Sequence, residues 1–383
     1  MSGRAVPDAD GQATDEEDIE AAIDATLAPP IEARRFPQDA FNRLPPAVRA
    51  LLGVAFATLG GFVASRSGVP LGWLLGALFS CGALATAGFS LPLPAAVRQI
   101  GQTIAGFSVG VFFTPEVGQR VLELGGLMIA GGCASILISV LISIPLARAG
   151  GCDRKSAFFA MMPGGLAEMA GLAQQFGANV TVVSVSQSLR VVIIVLTIPP
   201  ALTLLSGGGH GPVSHLPEMP AGMLAPGLGL AGLAAFVFAR LRIFNAYILG
   251  GLAVGIAAGL IADRPQIAPS YAPAIAQVAI GSVLGARFSW STLRKSGARF
   301  LPATILATAL LILGNMAVAG LLSQAIPFAT GVLATSPGGI AEMSLTAEAL
   351  HLAPPLVVAW HIVRILLVAV LTGPIYKVYR RWC

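Results

Sequence analysis

Apolar stretches of about twenty residues recur along this chain, each long enough to cross the roughly 30 Å hydrocarbon core of a bilayer as a helix. They run Ala47–Ser65, Val69–Gly88, Val97–Phe113, Val121–Ala147 and Val180–Leu205, and then Ala221–Ala239, Phe244–Ala262, Ala272–Phe288, Phe300–Ile326 and Pro355–Tyr376. Two further stretches, Ser156–Phe176 and Gly331–Leu350, are more polar and contain glycine, and each stands just before the last span of its set. Ser206–Pro220, rich in Gly, Pro and His, reads as a linker between the sets. Residues 1–44 are polar and lack apolar periodicity, which predicts a disordered acidic tail. The tail has no basic region leading into an apolar run, so it does not read as a signal peptide. The expected organisation is a tail over 1–44, a membrane repeat over 45–205, a linker over 206–220 and a second repeat over 221–383.

Composition fits this pattern. Of 383 residues, 55% are hydrophobic and 11% charged, and the mean hydropathy is +0.81. A soluble chain carries roughly 25% charged residues, so a soluble enzyme or transcription factor is excluded as a reading of the whole chain. Ten of the 18 acidic residues precede residue 40, which leaves a basic membrane body. No Lys/Arg run with interleaved aromatics suggests nucleic acid as a partner; the bilayer and a small molecule or ion are the partners expected, and a homodimer is compatible with the layout.

The two sets of spans are copies. Met162–Pro200 and Ser336–Pro374 align without a gap at an offset of 174: Pro163/Pro337, Gly164/Gly338, Gly165/Gly339, Ala167/Ala341, Glu168/Glu342, Met169/Met343 and Arg190/Arg364 coincide. Trp73–Gly76 meets Tyr247–Gly250 at the same offset. One residue of slippage brings Gln102, Gly106, Gly110 and Phe113 onto Gln277, Gly281, Gly285 and Phe288. Three matching blocks in one order define an internal duplication.

Whether the copies are parallel or inverted depends on the polar stretches. If both cross the membrane, each copy has six spans and Arg240, Arg242, Arg294, Lys295 and Arg299 fall outside, against the positive-inside rule. If both enter and leave on one side, each copy has five spans and the copies are inverted. Of the lysines and arginines counted, only Arg66, Arg120 and Arg264 then lie outside. The fold expected is therefore an all-α integral membrane protein of ten spans in two inverted repeats, each with a re-entrant or broken helix, multi-pass in the inner (cytoplasmic) membrane with both termini cytoplasmic.

The duplicated P-G-G is the candidate site. Non-helical backbone at membrane depth must be buried in protein or line a cavity. Proline interrupts a helix, and glycine permits positive φ or a close approach of backbone or ligand. The half-helix that follows offers N–H groups to an anion, and paired breaks entering from opposite sides are where carriers hold substrate. Pro163, Gly164, Gly165, Pro337, Gly338 and Gly339 are thus candidate substrate-binding residues, with Arg190 and Arg364, whose forks suit a carboxylate or phosphate. Gln187 and His361 stand three residues before the arginines, on the same helical face. Glu168 and Glu342 are candidate ion-coupling residues, since a carboxylate in the membrane interior is costly unless functional or paired. Closed structural pairs, Glu168 with Arg190 and Glu342 with Arg364, are the alternative. Gln102 and Gln277 reach the core or join helices by hydrogen bonds.

The P-G-G-[LI]-A-E-M blocks, the G-W-L-L-G at Gly72–Gly76 and the two-repeat layout resemble the AbrB-like membrane protein family, over roughly residues 45–380. Members of that family carry labels including ammonia monooxygenase, and regulation of gene expression has been attributed to it. The layout is also similar to glutamate/sodium symporters and to the cation-proton antiporter and anion transporter group, although the G-G-H-G of the glutamate carriers is missing here. The resemblance implies a secondary transporter of a small solute, an organic anion above all, coupled to H⁺ or Na⁺, with an indirect regulatory role as the alternative. An oxygenase would need a metal or organic cofactor. The four histidines, His210, His215, His351 and His361, form no ligand pattern, and Cys81, Cys133, Cys152 and Cys383 are scattered. Neither an enzyme nor a cofactor is expected.

Overall fold

Ten apolar stretches become helices, and the two polar ones become pairs of short helices with a break between them. The computed structural model describes residues 37–205, 217–262, 266–287 and 299–382. Arg264, Arg294, Lys295, Cys383, most of the tail and residues 206–216 of the linker lie outside the described residues, and so do His210 and His215.

In the N-terminal segment, α1 (Pro37–Asn42) is helical, which corrects the expectation of disorder over that stretch. Proline opens the helix, where its missing N–H costs nothing, and Asp39 lies in the first turn near the positive end of the helix dipole.

The membrane body begins at Pro46. Its first half holds α2 (Pro46–Arg66), α3 (Gly72–Thr86), α4 (Ala95–Gly110), α5 (Pro115–Glu123), α6 (Gly125–Gly150), α7 (Arg154–Met161), α8 (Leu166–Gln175) and α9 (Val180–Leu205). The second holds α10 (Ala221–Arg240), α11 (Ala246–Ala262), α12 (Tyr271–Ala286), α13 (Phe300–Leu321), α14 (Phe328–Thr335), α15 (Ile340–Ala349) and α16 (Pro354–Trp382). Six of these are long and apolar enough to cross a membrane: α2, α6, α9, α10, α13 and α16. The helices α3, α4, α11 and α12 have 15 to 17 residues, or about 23–26 Å of length.

The span expected over Val121–Ala147 begins later than predicted. Pro115 sits at the start of α5 behind the cap Thr114, whose hydroxyl accepts from Val117 N at 3.4 Å. This short amphipathic helix ends at Glu123, and the span proper starts at Gly125.

The first three helices of the two halves pack together, α3 against α12 and α4 against α11, while α6 to α9 gather with α13 to α16. Contacts between the halves are reciprocal. A Cβ on Gly106 would strike the carbonyl of Ile248, and one on Gly281 the carbonyl of Leu74. Four residues on, Gly110 meets Leu252 and Gly285 meets Leu78. Each pair maps onto the other by the repeat offsets of 174 and 175. The advancing register also shows that α4 runs parallel to α11 and α3 parallel to α12.

In lipid, where tails are as apolar as side chains, such close backbone packing holds helices together. Gly106→Val is therefore expected to destabilise by about 1–3 kcal/mol through overpacking. Gly229→Ala, on α10 where a Cβ meets nothing within 4 Å, is expected to be neutral or to gain up to about 1 kcal/mol. Thermal unfolding in detergent checks both.

Candidate functional site

Each break is built from a half-helix that ends, a proline and two glycines, and a half-helix that starts. In the first half the segment turns back on itself. Asp153 caps α7, its carboxylate accepting from Ser156 N at 3.0 Å. The Ser156 hydroxyl in turn accepts from Asn179 N at 2.7 Å, so the residue before α9 returns to the start of α7. The rings of Phe159 and Phe176 stack at 5.7 Å, joining the ends of the same hairpin, and Tyr376 of α16 packs on both.

The arginines serve the first half-helices. Arg190 Nη1 donates to the carbonyls of Met161 at 3.1 Å and Met162 at 3.0 Å, and its Nη2 donates to Gln187 Oε1 at 2.6 Å. Gln187 Nε2 donates to Phe159 O and Met162 O, both at 3.0 Å. Arg364 repeats the arrangement: Nη1 donates to Ser336 O, and Nη2 to Gly338 O at 3.0 Å. A helix that stops inside a protein leaves carbonyls without partners and a negative dipole end. Each guanidinium meets both needs, which is how a cation can sit 2% exposed without a carboxylate.

The carboxylates serve the second half-helices. Glu168 Oε2 accepts from Gly165 N at 3.4 Å, the return leg of a capping box. The Glu342 carboxylate lies over Gly339, where a Cβ would overlap it. The anion expected at these N-termini is thus the chain's own. Neither closed ion pair forms: among the described residues Arg120 with Glu123, at 2.9 Å, is the salt bridge present.

Of the two uses open to the glycines, positive φ and close approach, the second is found. Gly165 and Gly339 have φ of −68° and −77°, and the described glycines with positive φ lie elsewhere, at 68, 88, 151 and 177. What the P-G-G glycines supply is room. Gly164 packs on Met169 and on Val368 of α16, and Gly338 on Met343 and on Ile194 of α9, again reciprocally.

Both breaks line one cavity of about 90 Å³. Pro163, Gly164, Gly165, Gln187 and Arg190 face it from the first half, and Pro337, Gly338, Gly339, Glu342 and Arg364 from the second. Two of the predicted residues are not brought in. Glu168 is turned onto its own half-helix, and His361 is fully buried with Nδ1 2.9 Å from Val357 O. Gln102 lines the cavity, whereas its counterpart Gln277 is buried in α12 away from it. Ser188, on the polar face of α9 that the sequence also marks, lines the cavity, and the residues the sequence reading missed are Arg98, Asn245 and Arg287. Arg98 carries a signal, since it precedes Gln102 by one helical turn; Arg287, the last residue before the undescribed 288–298, carries none. Among the described residues no three His, Cys, Asp or Glu side chains gather as metal ligands would.

An all-helical body, apolar over span-length helices and enclosing a polar cavity between two broken helices, is that of a multi-pass membrane protein. The profile of the family described as "Transition state regulatory protein AbrB" matches residues 73–380, and the chain belongs to that family. It is 29% identical over 355 residues to "Uncharacterized protein YhjN" of Bacillus subtilis (strain 168), covering 85% of this chain and 91% of the relative. It is 26% identical over 324 residues to "Putative regulator AbrB" of Escherichia coli (strain K12), covering 82% and 90%.

Proposed function

We propose that this protein is a secondary transporter of a small anion, coupled to H⁺ or Na⁺, which works by alternating access about the paired breaks. The observation that carries the reading is that both P-G-G breaks line one cavity at which four guanidinium groups, Arg98, Arg190, Arg287 and Arg364, face one carboxylate, Glu342. Low-dielectric walls of one sign of charge concentrate the opposite sign, and broken helices at a repeat interface are the usual seat of substrate in carriers.

Inverted repeats are part of this reading, and three contacts support them. The hairpin closed by Ser156 and Asn179 returns to its starting end, which leaves five crossings in the first half. The parallel run of α4 and α11 follows from five crossings per half, whereas six would make them antiparallel. Arg120, after α4, donates to Ala325 O, after α13, at 3.2 Å, so these two loops share a face, as five crossings require. The excess of Lys and Arg supports a cytoplasmic side for the face where α4 begins. Single cysteines on a cysteine-free background test the sides: Glu218→Cys, at an exposed position, is expected to label from outside and Ala95→Cys from inside. Labelling of both from one side would sink the inverted arrangement.

The transport reading is tested in proteoliposomes. Saturable uptake of one among small carboxylates, phosphate and sulfate is expected under an imposed H⁺ or Na⁺ gradient. Uptake of none under either gradient overturns it. An indirect regulatory role is the second reading, favoured by the family description and by the name of the Escherichia coli relative. Deleting residues 1–40 separates the two: a transporter keeps its flux, while a regulator that signals through its tail loses its output. No part of the reading calls for an enzyme or a cofactor.

A further inference from the structure

The correspondence between the repeats that holds through the cavity fails at its mouth. At the offset of 175 that pairs Gln102 with Gln277 and Gly106 with Gly281, the counterpart of Arg98 is Pro273 and that of Arg287 is Phe112. One mouth therefore carries two cations, and the equivalent positions at the other end carry a proline and a buried phenylalanine. That other end is also covered. Gln266 N donates to Val111 O at 3.4 Å, and Met219 N to Ile267 O at 2.9 Å, so the chain segments before α12 and α10 lie across it.

Next to the inner cavity lies a vestibule of about 450 Å³. Arg98, Gln102, Val283 and Arg287 line both spaces, which therefore adjoin, and Gln99 and Tyr247 add further polar groups to the outer one. Arg190 and Arg364 spend their forks on backbone carbonyls. Arg98 and Arg287 make no side-chain hydrogen bond or ion pair among the described residues. Arg287 is exposed and Arg98 half-buried, so solvent reaches both. Two guanidinium groups lining one recess repel one another, the single carboxylate Glu342 of the adjoining cavity leaves a net positive charge there, and each guanidinium offers planar donors matched to a carboxylate or a phosphate.

We propose that Arg98 and Arg287 form an outer oxyanion subsite, at one mouth only, which captures a carboxylate- or phosphate-type anion before it passes between the two P-G-G breaks. The proposal rests on the transport reading and deepens it: the vestibule of about 450 Å³ is the wider space and the inner cavity of about 90 Å³ the narrower, so the anion is met first at the wider one. Capture is one-sided in this proposal, since among the described residues the equivalent positions at the other end are the uncharged Phe112 and Pro273.

The test uses the full chain without its cysteines, carrying Val283→Cys, in nanodiscs that leave both faces open. Modification rates are compared for a sulfonate-bearing and a trimethylammonium-bearing methanethiosulfonate. The anionic reagent is expected to react faster by about tenfold, the scale of electrostatic focusing in a charged cleft. The ratio is expected to fall to about one in Arg98→Gln with Arg287→Gln, and to survive in the Arg98→Lys, Arg287→Lys chain. Millimolar succinate, phosphate or sulfate should slow the reaction in the starting protein and not in the double Gln variant. A ratio that the Gln changes leave unmoved, or no protection by any of the three anions, overturns the subsite. Labelling needs no flux, so the two readings fail separately. A charge-dependent ratio with protection, in a protein that moves no anion, keeps the subsite and removes the transporter. Saturable flux with a ratio near one does the reverse.

Discussion

Arg190→Ala is expected to cost about 3–6 kcal/mol, because hydrogen bonds to a charged group are worth about 1.5–3 kcal/mol each and this side chain makes two to the carbonyls that end α7. Those carbonyls lose their donor at the end of a buried half-helix, and Gln187 loses its partner as well. Glu168→Gln in the same chain is expected to restore nothing. The carboxylate it neutralises accepts from Gly165 N and makes no ion pair with Arg190. Arg190→Lys keeps the charge and loses the fork, so it should fall between the two. The same series on Arg364 should behave alike, with Ser336 and Gly338 as the abandoned acceptors. Thermal unfolding of purified protein reads all of these. Recovery of stability in the Arg190→Ala, Glu168→Gln double variant would show the pair to be ionic after all.

The duplicated carboxylates are expected to differ in function by an order of magnitude. Glu342→Gln should lower transport by about tenfold or more, a loss of roughly 1.4 kcal/mol, since this group lines the cavity between the breaks. If it carries the coupling ion, the remaining flux should also lose its dependence on pH or Na⁺. Glu168→Gln should leave transport nearly unchanged. Glutamine can still accept from Gly165 N, and the lost charge at the start of α8 is worth about 0.3–1 kcal/mol. Initial rates in proteoliposomes, normalised to inserted protein, decide the matter. Equal losses in both variants would mean that the cavity in another state of the protein admits Glu168 too.

The sequence by itself determined the architecture, because its signals are local and repeated. Spans follow from runs of apolar residues, breaks follow from proline and glycine chemistry, and the duplication makes each half a check on the other. The helices α2, α9, α10 and α11 lie within two residues of their predicted bounds, and P-G-G stands at both breaks. The short amphipathic α5 was hidden because an apolar window merges it with the span that follows.

Only the tertiary structure decided what the charges do. A linear reading sets Glu168 and Arg190 on the same repeat and suggests that opposite charges meet. Folding instead gives each its own helix end, the guanidinium on the carbonyls of α7 and the carboxylate on the amides of α8. Backbone dipoles have no letter in a sequence, so this solution could not be read there. The cavity mouth was invisible for a related reason. Arg98 stands 189 positions from Arg287, and no periodicity joins the first turn of α4 to the residue after α12. They share a wall because α4 and α12 pack side by side with their ends reversed, a fact of packing between repeats that lies beyond any pattern within one.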